Sequence, residues 1–453
     1  MARVLNRISF GELPPVPVRY AKVLIASTLA SAAAGTRIGS AGIIRQLVKE
    51  QGGKPEAPIW FDGMKVPVSQ AARVNATLSD AAASDDSDLR NVAHTGTCLT
   101  AVGLAMGERV GASGQDVLSA IVTGYEAAGR MAEAIAPPRE ALSGSWGRGF
   151  HASVIVAFGG VAAAARLLRL SDEQMANAIG LTATTMGGLA IGTNSWAREY
   201  HAGNAALCAV NAALAAGRGY TVNPDMLEAP RGFLAVFGGD RGAVQANTTS
   251  LTRELQGNWQ IARYLAIKLV PGAHALQPAV EAAIHAAREA GVPAEQISKI
   301  LVSGPQIRSI GSHSVPTNLA EAIHSLPYFL ASAVADKDFS WVHTTPEKIN
   351  RPVIARLIRL VEIDPSPKAV HYDWSWGATV TLVTASGSSY TSTIDAPNGS
   401  APRGIEWNAV DAKYKALMPE SGLSAARINQ LLQTIHDFDR LKKISEFTAL
   451  LAV

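Results

Sequence analysis

Apolar residues recur at helical spacing through most of the first 260 positions of the chain. Alanine-rich segments of this kind predict helices at residues 72–85, 98–106, 115–132, 153–168 and 204–216. Small side chains let helix axes come close together, so these segments predict a compact all-helical domain. Ser171 and Gln174 can form a capping box, in which each side chain satisfies an amide at the start of a helix. That motif predicts a further helix at residues 172–179.

The pattern changes after about residue 262. Runs of β-branched residues predict strands at 297–303, 379–384 and 390–394, and the glycine-containing segment between the last two predicts a hairpin. Residues 346–361 predict a helix with Thr345 as its cap and Pro346 in its first position, and residues 407–453 return to amphipathic helix. The expected architecture is mainly α. A large helical domain is built from both chain ends, residues 1–262 and 398–453, and a smaller α+β domain, residues 263–397, is inserted between them.

Composition narrows the classes of function. The chain has 453 residues, a formal net charge of +3 and no dense run of lysine and arginine, so nucleic acid is a poor candidate for a partner. Its only two cysteines, Cys98 and Cys208, lie far apart, which excludes a disulfide framework and fits a reducing compartment. His94 precedes Cys98 by four residues, but one such pair supplies too few ligands for zinc. We therefore expect no metal site.

The apolar segment at residues 23–35 follows Arg19 and Lys22 and so resembles a secretory leader. It is too short to span a bilayer, and a polar, proline-containing stretch precedes it. A buried helix of the core explains it better. The sequence thus predicts a cytoplasmic protein with no membrane association.

Polar and titratable side chains interrupt the apolar, glycine-rich background at a few places. They are Asp85, Ser87, His94, His151, Arg198, His201, Lys268, His274 and Tyr328. Each has an ordinary structural account, because a histidine can cap a helix, acidic residues fill turns and a tyrosine packs in a core. Together they also suit chemistry. Histidines transfer protons near neutral pH, and cationic side chains stabilise negative charge that develops on a carboxylate.

The order of these groups and the segments around them resemble the MmgE/PrpD family, to which 2-methylcitrate dehydratase belongs. The matching segments are residues 25–35, 71–86 with His94, 149–151, 159–171, 196–203, Lys268 with Pro271, 325–328, and Lys413 with Tyr414. The resemblance covers nearly the whole chain. It implies an active site between the helical domain and an α+β lid, a homodimer, and chemistry without a cofactor.

The resemblance also implies roles for individual residues. Those expected to be catalytic are Asp85, His94, His151, Lys268 and Tyr328, and those expected to bind the substrate are Ser87, Arg198, His201 and His274. The implied activity is that of a carbon–oxygen lyase, a hydro-lyase acting on a small di- or tricarboxylic acid. Decarboxylation or epimerisation at the same site stays open, as does a homologue that binds a ligand without catalysis.

The chain departs from the family pattern at several of these positions. Arg198 stands where the family has a lysine, three residues before His201. Arginine stays protonated, so it can hold a carboxylate with two N–H groups but is a poor general base. Ala83 stands where a second aspartate is common, Ser87 where threonine is usual and Gln277 where histidine is common. These changes leave the substrate and the reaction open.

Overall fold

The computed structural model describes residues 1–135, 149–185, 187–238, 248–254, 257–317, 319–367, 369–372 and 374–453. They form two compact units. The first comprises Met1–Ile267 and Glu406–Val453, and the second comprises Lys268–Ile405. Most of the described residues are helical and the sheets are small, which confirms the mainly α prediction.

The first unit is a packed set of helices. They are Ala2–Asn6, Pro15–Gly35, Gly39–Gln51, Val68–Ala81, Thr95–Val110, Gly114–Ile135, Ser153–Leu167, Asp172–Thr185, Ala197–Ala216, Phe233–Gly238, Thr249–Thr252, Gln260–Tyr264, Trp407–Leu417, Ala425–His436 and Ile444–Thr448. The helix Pro15–Gly35 is buried over most of its length, as expected for a core element. None of the helices in the described ranges combines the length and apolar character needed to cross a bilayer.

Two small antiparallel sheets complete the first unit. Ala57–Pro58 pairs with Lys65–Val66, and Asp86–Asp88 pairs with Leu265–Ile267. The capping box is present at the predicted place, since the amide of Gln174 donates to Ser171 Oγ and the amide of Ser171 donates to Gln174 Oε1.

The second unit combines a four-stranded sheet with helices. The strand Ile297–Ser303 pairs in parallel with Val361–Ile363 and antiparallel with Ala378–Thr384, which forms a hairpin with Ser389–Ile394. The helices are Gln277–Ala290, Leu319–Ala322, Leu326–Asp336, Pro346–Ile349 and Pro352–Ile358. Apolar side chains of Gln277–Ala290 and Leu326–Asp336 share one buried cluster with those of the sheet. The predicted strand and hairpin are therefore confirmed.

Two helices end at residues other than the predicted ones. The helix at 346–361 is interrupted, because Arg351 is extended with ψ of 133° before Pro352 and the chain resumes as a second short helix. Val361, the last residue of the predicted helix, begins the strand Val361–Ile363 instead. The helix at 72–85 already ends at Ala81, and Ala83 has a φ of +49°, outside helical geometry.

Candidate active site in the helical unit

Four buried carboxylates follow one another where the helix Val68–Ala81 ends. The left-handed φ of Ala83 turns the chain sharply. It then enters the strand Asp86–Asp88, and antiparallel pairing with Leu265–Ile267 fixes the directions of successive side chains. The carboxylates belong to Asp80, Asp85, Asp86 and Asp88, all of them almost fully buried.

Buried charges require compensation, and three of these carboxylates receive it from groups with permanent or partial positive charge. The pairs are Asp80 with Arg198 Nε at 3.1 Å, Asp88 with Arg90 Nη2 at 2.6 Å, and Asp86 with the amide of Gly96 at 3.0 Å. Gly96 lies in the first turn of the helix Thr95–Val110, where the helix dipole favours an anion. Asp85 differs from the other three, because its partner is a histidine.

His94 Nδ1 lies 2.7 Å from Asp85 Oδ2 and 2.8 Å from the carbonyl oxygen of Asp86. Thr97 Oγ1 donates to the same carboxylate oxygen of Asp85 at 2.9 Å. Both neighbours of Nδ1 are acceptors, so Nδ1 carries a proton and the lone pair of the neutral ring is on Nε2. A histidine in this tautomer can act as a base at Nε2, while the carboxylate stabilises the imidazolium that forms.

His151, just before the helix Ser153–Leu167, has the opposite tautomer. Its Nδ1 accepts from the amide of Ser153 at 3.2 Å, so the neutral ring carries its proton on Nε2. Burial lowers the pKa of His151 to about 4, and the negative charge of Asp80 opposes this only in part. At neutral pH His151 is therefore an uncharged N–H donor. The His201 ring lies 5.4 Å from it between centroids, and burial also lowers the pKa of His201.

Arg198 is held by the end of the helix that precedes the acidic turn. Besides the contact of Nε with Asp80, Nη2 donates to the carbonyl oxygens of Asp80 at 2.8 Å and of Ala81 at 3.2 Å. These last carbonyls of a helix carry partial negative charge. The Nε–Nη2 edge is thus engaged within the protein, and a substrate carboxylate would have to meet Arg198 through Nη1.

Two glycines allow these elements to come so close. A Cβ on Gly203 would lie 2.9 Å from the carbonyl oxygen of Arg73 and closer still to Thr77 Oγ1, so a side chain there would push the helix Ala197–Ala216 away from Val68–Ala81. Gly188 has a φ of +131°, and a Cβ there would be 3.2 Å from His201 Nδ1 and 3.3 Å from His151 Cβ. Glycine therefore lets the backbone pass directly over the two histidines.

The structure brings together five of the predicted site residues in the first unit: Asp85, His94, His151, Arg198 and His201. Ser87 lies in the strand Asp86–Asp88 and is buried, and its Oγ has no hydrogen-bond partner among the described residues. Lys268 directly follows the strand Leu265–Ile267 as the first residue of the second unit and is buried.

The other two predicted site residues belong to the second unit. His274 is buried at the start of a short 3₁₀ helix, His274–Leu276. Tyr328 is buried in the core, and its hydroxyl donates to the carbonyl oxygen of His343. Its position is therefore that of a hydrogen-bonded core tyrosine.

Asp80, Asp85 and His94 offer ligand atoms within 4.8 Å of one another, a spacing that could hold a cation. The guanidinium of Arg198 already neutralises Asp80, however, and the proton on His94 Nδ1 faces Asp85. Burial raises the pKa of Cys98 to about 12, so this thiol stays protonated and is a poor zinc ligand. The donor set is that of a charge-compensated cluster.

The predicted site residues did not include Asp80 and Lys413, which are buried charged residues of this region with distant partners. Asp80 is the partner of Arg198, and Lys413 donates to the backbone of the acidic turn from the C-terminal segment. The local sequence does not single them out, because the helices that contain them also carry other charged residues. Their partners are more than a hundred residues away, so the sequence does not indicate which groups they meet.

Comparison with known proteins identifies the family of this chain. The MmgE/PrpD N-terminal domain matches residues 1–245, and the MmgE/PrpD C-terminal domain matches residues 271–437. Cis-aconitate decarboxylase of Homo sapiens is 23% identical, with 99% of this chain and 93% of the relative aligned. Cis-aconitate decarboxylase of Mus musculus is 22% identical, with coverage of 99% and 92%. The chain belongs to the MmgE/PrpD family.

Proposed function

We propose that the protein is a cofactor-independent hydro-lyase that acts on a small di- or tricarboxylic acid, such as a hydroxy acid resembling 2-methylcitrate. The observation that carries this proposal is the buried contact of 2.7 Å between Asp85 and His94 Nδ1. It supports Nε2 of His94 as the base that takes a proton from the carbon next to a carboxylate. The electron pair of the broken C–H bond then forms the double bond as the β-hydroxyl leaves. The imidazolium returns its proton to that hydroxyl, which departs as water.

His151 supports the step as a neutral donor. Negative charge builds on the substrate carboxylate as the proton leaves, and an N–H group fixed in a buried position stabilises it. Arg198 contributes positive charge through Nη1, beside the contacts that it makes with Asp80. Ser87, His201 and His274 keep their proposed roles in binding.

Lys268 keeps its proposed role as a second cation for the substrate. Tyr328, which the resemblance makes catalytic, could donate a proton to the leaving hydroxyl or to a carbon, but its hydroxyl already donates to the carbonyl of His343. A proton from Tyr328 requires that bond to break, so protonated His94 is the simpler acid in this proposal. The family resemblance supports a homodimer, and the low cysteine content supports a cytoplasmic location.

Decarboxylation is the second candidate, because the two relatives, at 22–23% identity, are named cis-aconitate decarboxylases. The same base serves it, since the imidazolium can protonate the carbon that loses carbon dioxide. Epimerisation needs an acid–base group on each face of the substrate. It is less well supported, because the ring tautomer of His151 presents a donor at Nε2.

The experiment that separates these outcomes is incubation in deuterated water with a panel of hydroxy-, unsaturated and amino polycarboxylates. Mass spectra report a loss of 18 Da for dehydration, a loss of 44 Da for decarboxylation, and deuterium uptake at unchanged composition for epimerisation. We expect dehydration of at least one hydroxy acid. A folded protein that leaves the whole panel unchanged would support the non-catalytic homologue instead.

His94→Asn tests the assigned base, and the first unit contains a matched control. His436 Nε2 also contacts an aspartate, Asp411, at 3.1 Å, but both side chains are partly exposed. His94→Asn should lower turnover at least about a hundredfold, the typical contribution of a general base, while His436→Asn should leave turnover unchanged. Equal turnover in the two variants would remove His94 from the mechanism.

A further inference from the structure

A buried lysine of the C-terminal segment lies against the turn that carries Asp85. Lys413 belongs to the helix Trp407–Leu417, and only 2% of its surface is exposed. Its ammonium group donates to Ser27 Oγ at 2.6 Å, to the carbonyl oxygen of Asp85 at 3.3 Å and to the carbonyl oxygen of Ser84. An ammonium group has three donors, so these three acceptors can satisfy it while it stays charged.

Ser27, from a third part of the chain, contacts both Lys413 and the backbone of Asp85. It lies in the helix Pro15–Gly35, is fully buried, and its Oγ donates to the carbonyl oxygen of Asp85 at 3.2 Å. The serine hydroxyl therefore accepts from Lys413 and donates to Asp85. The backbone carbonyls of Ser84 and Asp85 are held from two sides by groups that are distant in sequence.

The turn needs such support for two reasons. Ala83 takes a left-handed conformation that is unfavourable for a residue with a Cβ. The residues that follow, Ser84 and Asp85, are buried, and a buried carbonyl group without a hydrogen-bond partner destabilises the fold. Because the side chain of Asp85 starts from this same backbone, a displacement there of about 1 Å would carry the carboxylate out of its 2.7 Å contact with His94.

We propose that Lys413 is a positioning residue, which holds the Ser84–Asp85 backbone so that the Asp85 carboxylate stays in contact with His94. The inference rests on the proposed function only in treating Asp85 and His94 as the acid–base pair. The charged and titratable groups near His94 among the described residues include Asp85, Asp80 and Asp86, with His151 and Arg198 beyond them. Lys413 acts on this set through Asp85.

The test is the pKa of His94, measured by NMR on histidine-labelled protein, in Lys413→Met. Lys415→Met is the matched control, because Lys415 is exposed on the same helix two residues later. A contact with a carboxylate favours the imidazolium. Loss of that contact in Lys413→Met should therefore lower the pKa of His94 by about one pH unit, and Lys415→Met should leave it unchanged. A pKa that stays the same or rises in folded Lys413→Met would overturn the proposal, since loss of the lysine's charge alone can only raise it.

Ser27→Ala keeps the proposal testable if Lys413→Met does not fold. This variant removes the hydroxyl that joins Lys413 to the Asp85 carbonyl, and we expect a smaller fall in the pKa of His94. An unchanged value would count against the positioning role. Once a substrate is known, the acidic limb of the pH–rate profile should move down with the pKa of His94, and Lys413→Arg should restore part of the wild-type profile. NMR needs no substrate, so the pKa of His94 in the variants can be measured even if the proposed activity is not found.

Discussion

Both units of the protein contain histidines in contact with aspartates, and His94 of the first unit differs from His343 of the second in its partners and in its tautomer. In the first unit, His94 meets Asp85 at 2.7 Å. In the second unit, His343 Nε2 meets Asp336 at 3.0 Å, and the same carboxylate also accepts from Lys348 at 2.5 Å and Arg351 at 2.6 Å.

The difference determines what each histidine can do. Burial alone would raise the pKa of Asp336, but hydrogen bonds from Lys348 and Arg351 outweigh it and lower that pKa to about 2. His343 Nδ1 accepts from the amide of Ser340 at 2.9 Å, so its ring lone pair is used within the protein. The second pair is therefore structural, whereas the tautomer of His94 suits a base. A histidine beside an aspartate is thus not by itself a sign of a base, because the position of the proton on the ring decides where its lone pair lies.

The strongest test of this contrast exchanges each aspartate for asparagine. Asp85→Asn should lower turnover at least about a hundredfold, because the amide no longer stabilises imidazolium and can favour the wrong tautomer. Asp336→Asn should instead lower the free energy of unfolding by about 2 kcal/mol and leave turnover per folded molecule unchanged. Steady-state rates and urea unfolding measure the two effects. A large loss of turnover in folded Asp336→Asn would break the distinction.

The next test concerns the cations. Asp80 is buried with Arg198 as its strong partner, whereas Asp336 has two basic partners besides its histidine. Arg198→Met should therefore cost about 3 kcal/mol of unfolding free energy, because it leaves a buried carboxylate uncompensated. Arg351→Met should cost about 1 kcal/mol or less, since Lys348 remains and the site is partly exposed. Equal losses of unfolding free energy in the two variants would show that the number of basic partners of the carboxylate does not determine the cost.

Acid should affect the two units in different pH ranges. The folded-state pKa of His151 is about 4, below the ordinary 6.5, so its contribution to stability is complete above pH 6.5 and is lost as the pH falls towards 4. That of Asp336 is about 2, below the ordinary 3.8, so its contribution is lost only between about pH 4 and 2. Between pH 8 and 5, His151 should account for a loss of about 2 kcal/mol. Urea unfolding at pH 8 and pH 5 measures the loss of unfolding free energy between the two pH values. Compared with the wild type, this loss should be smaller in His151→Phe and unchanged in Asp336→Asn.

The smallest expected effect comes from a comparison of two glycines with positive φ. Gly188 lies against the histidines of the first unit, while Gly291 ends a helix of the second unit with open space around its Cβ position. Alanine at either site meets backbone strain, but at Gly188 it also crowds His151 and His201. Gly188→Ala should therefore cost about 1 kcal/mol more than Gly291→Ala, and only Gly188→Ala should lower turnover. Equal effects on both quantities would mean that Gly188 matters only for its own backbone.

Much of the fold follows from local pattern. The strand at 297–303, the hairpin and the capping box at Ser171 were predicted because short-range spacing fixes them. The prediction of one helix at 346–361 was wrong. It followed the apolar spacing, whereas in the structure the chain is extended at Arg351 and a second helix begins at Pro352. The end at Ala81 could not be predicted, because the partners that stabilise the following turn come from other parts of the chain.

The candidate site was predictable to the level of residue types. The clustered Asp85 and His94 are close in sequence, and family resemblance added His151 and Arg198. The roles depend on contacts that no local pattern reveals: the proton position on each ring, the engagement of Arg198 by the carbonyls of Asp80 and Ala81, and the attachment of Lys413. The contacts of Arg198 and Lys413 join segments more than a hundred residues apart.

The bond from Lys413 to Ser27 spans 386 positions of sequence, and this has a consequence for biosynthesis. A ribosome has made the whole second unit before the lysine that supports the acidic turn emerges, so the helices made first must wait for it. Contacts of such separation form late and slow the final step of folding. A nascent or truncated chain that stops before Lys413 therefore carries Asp85 and His94 without the lysine that contacts the backbone of their turn.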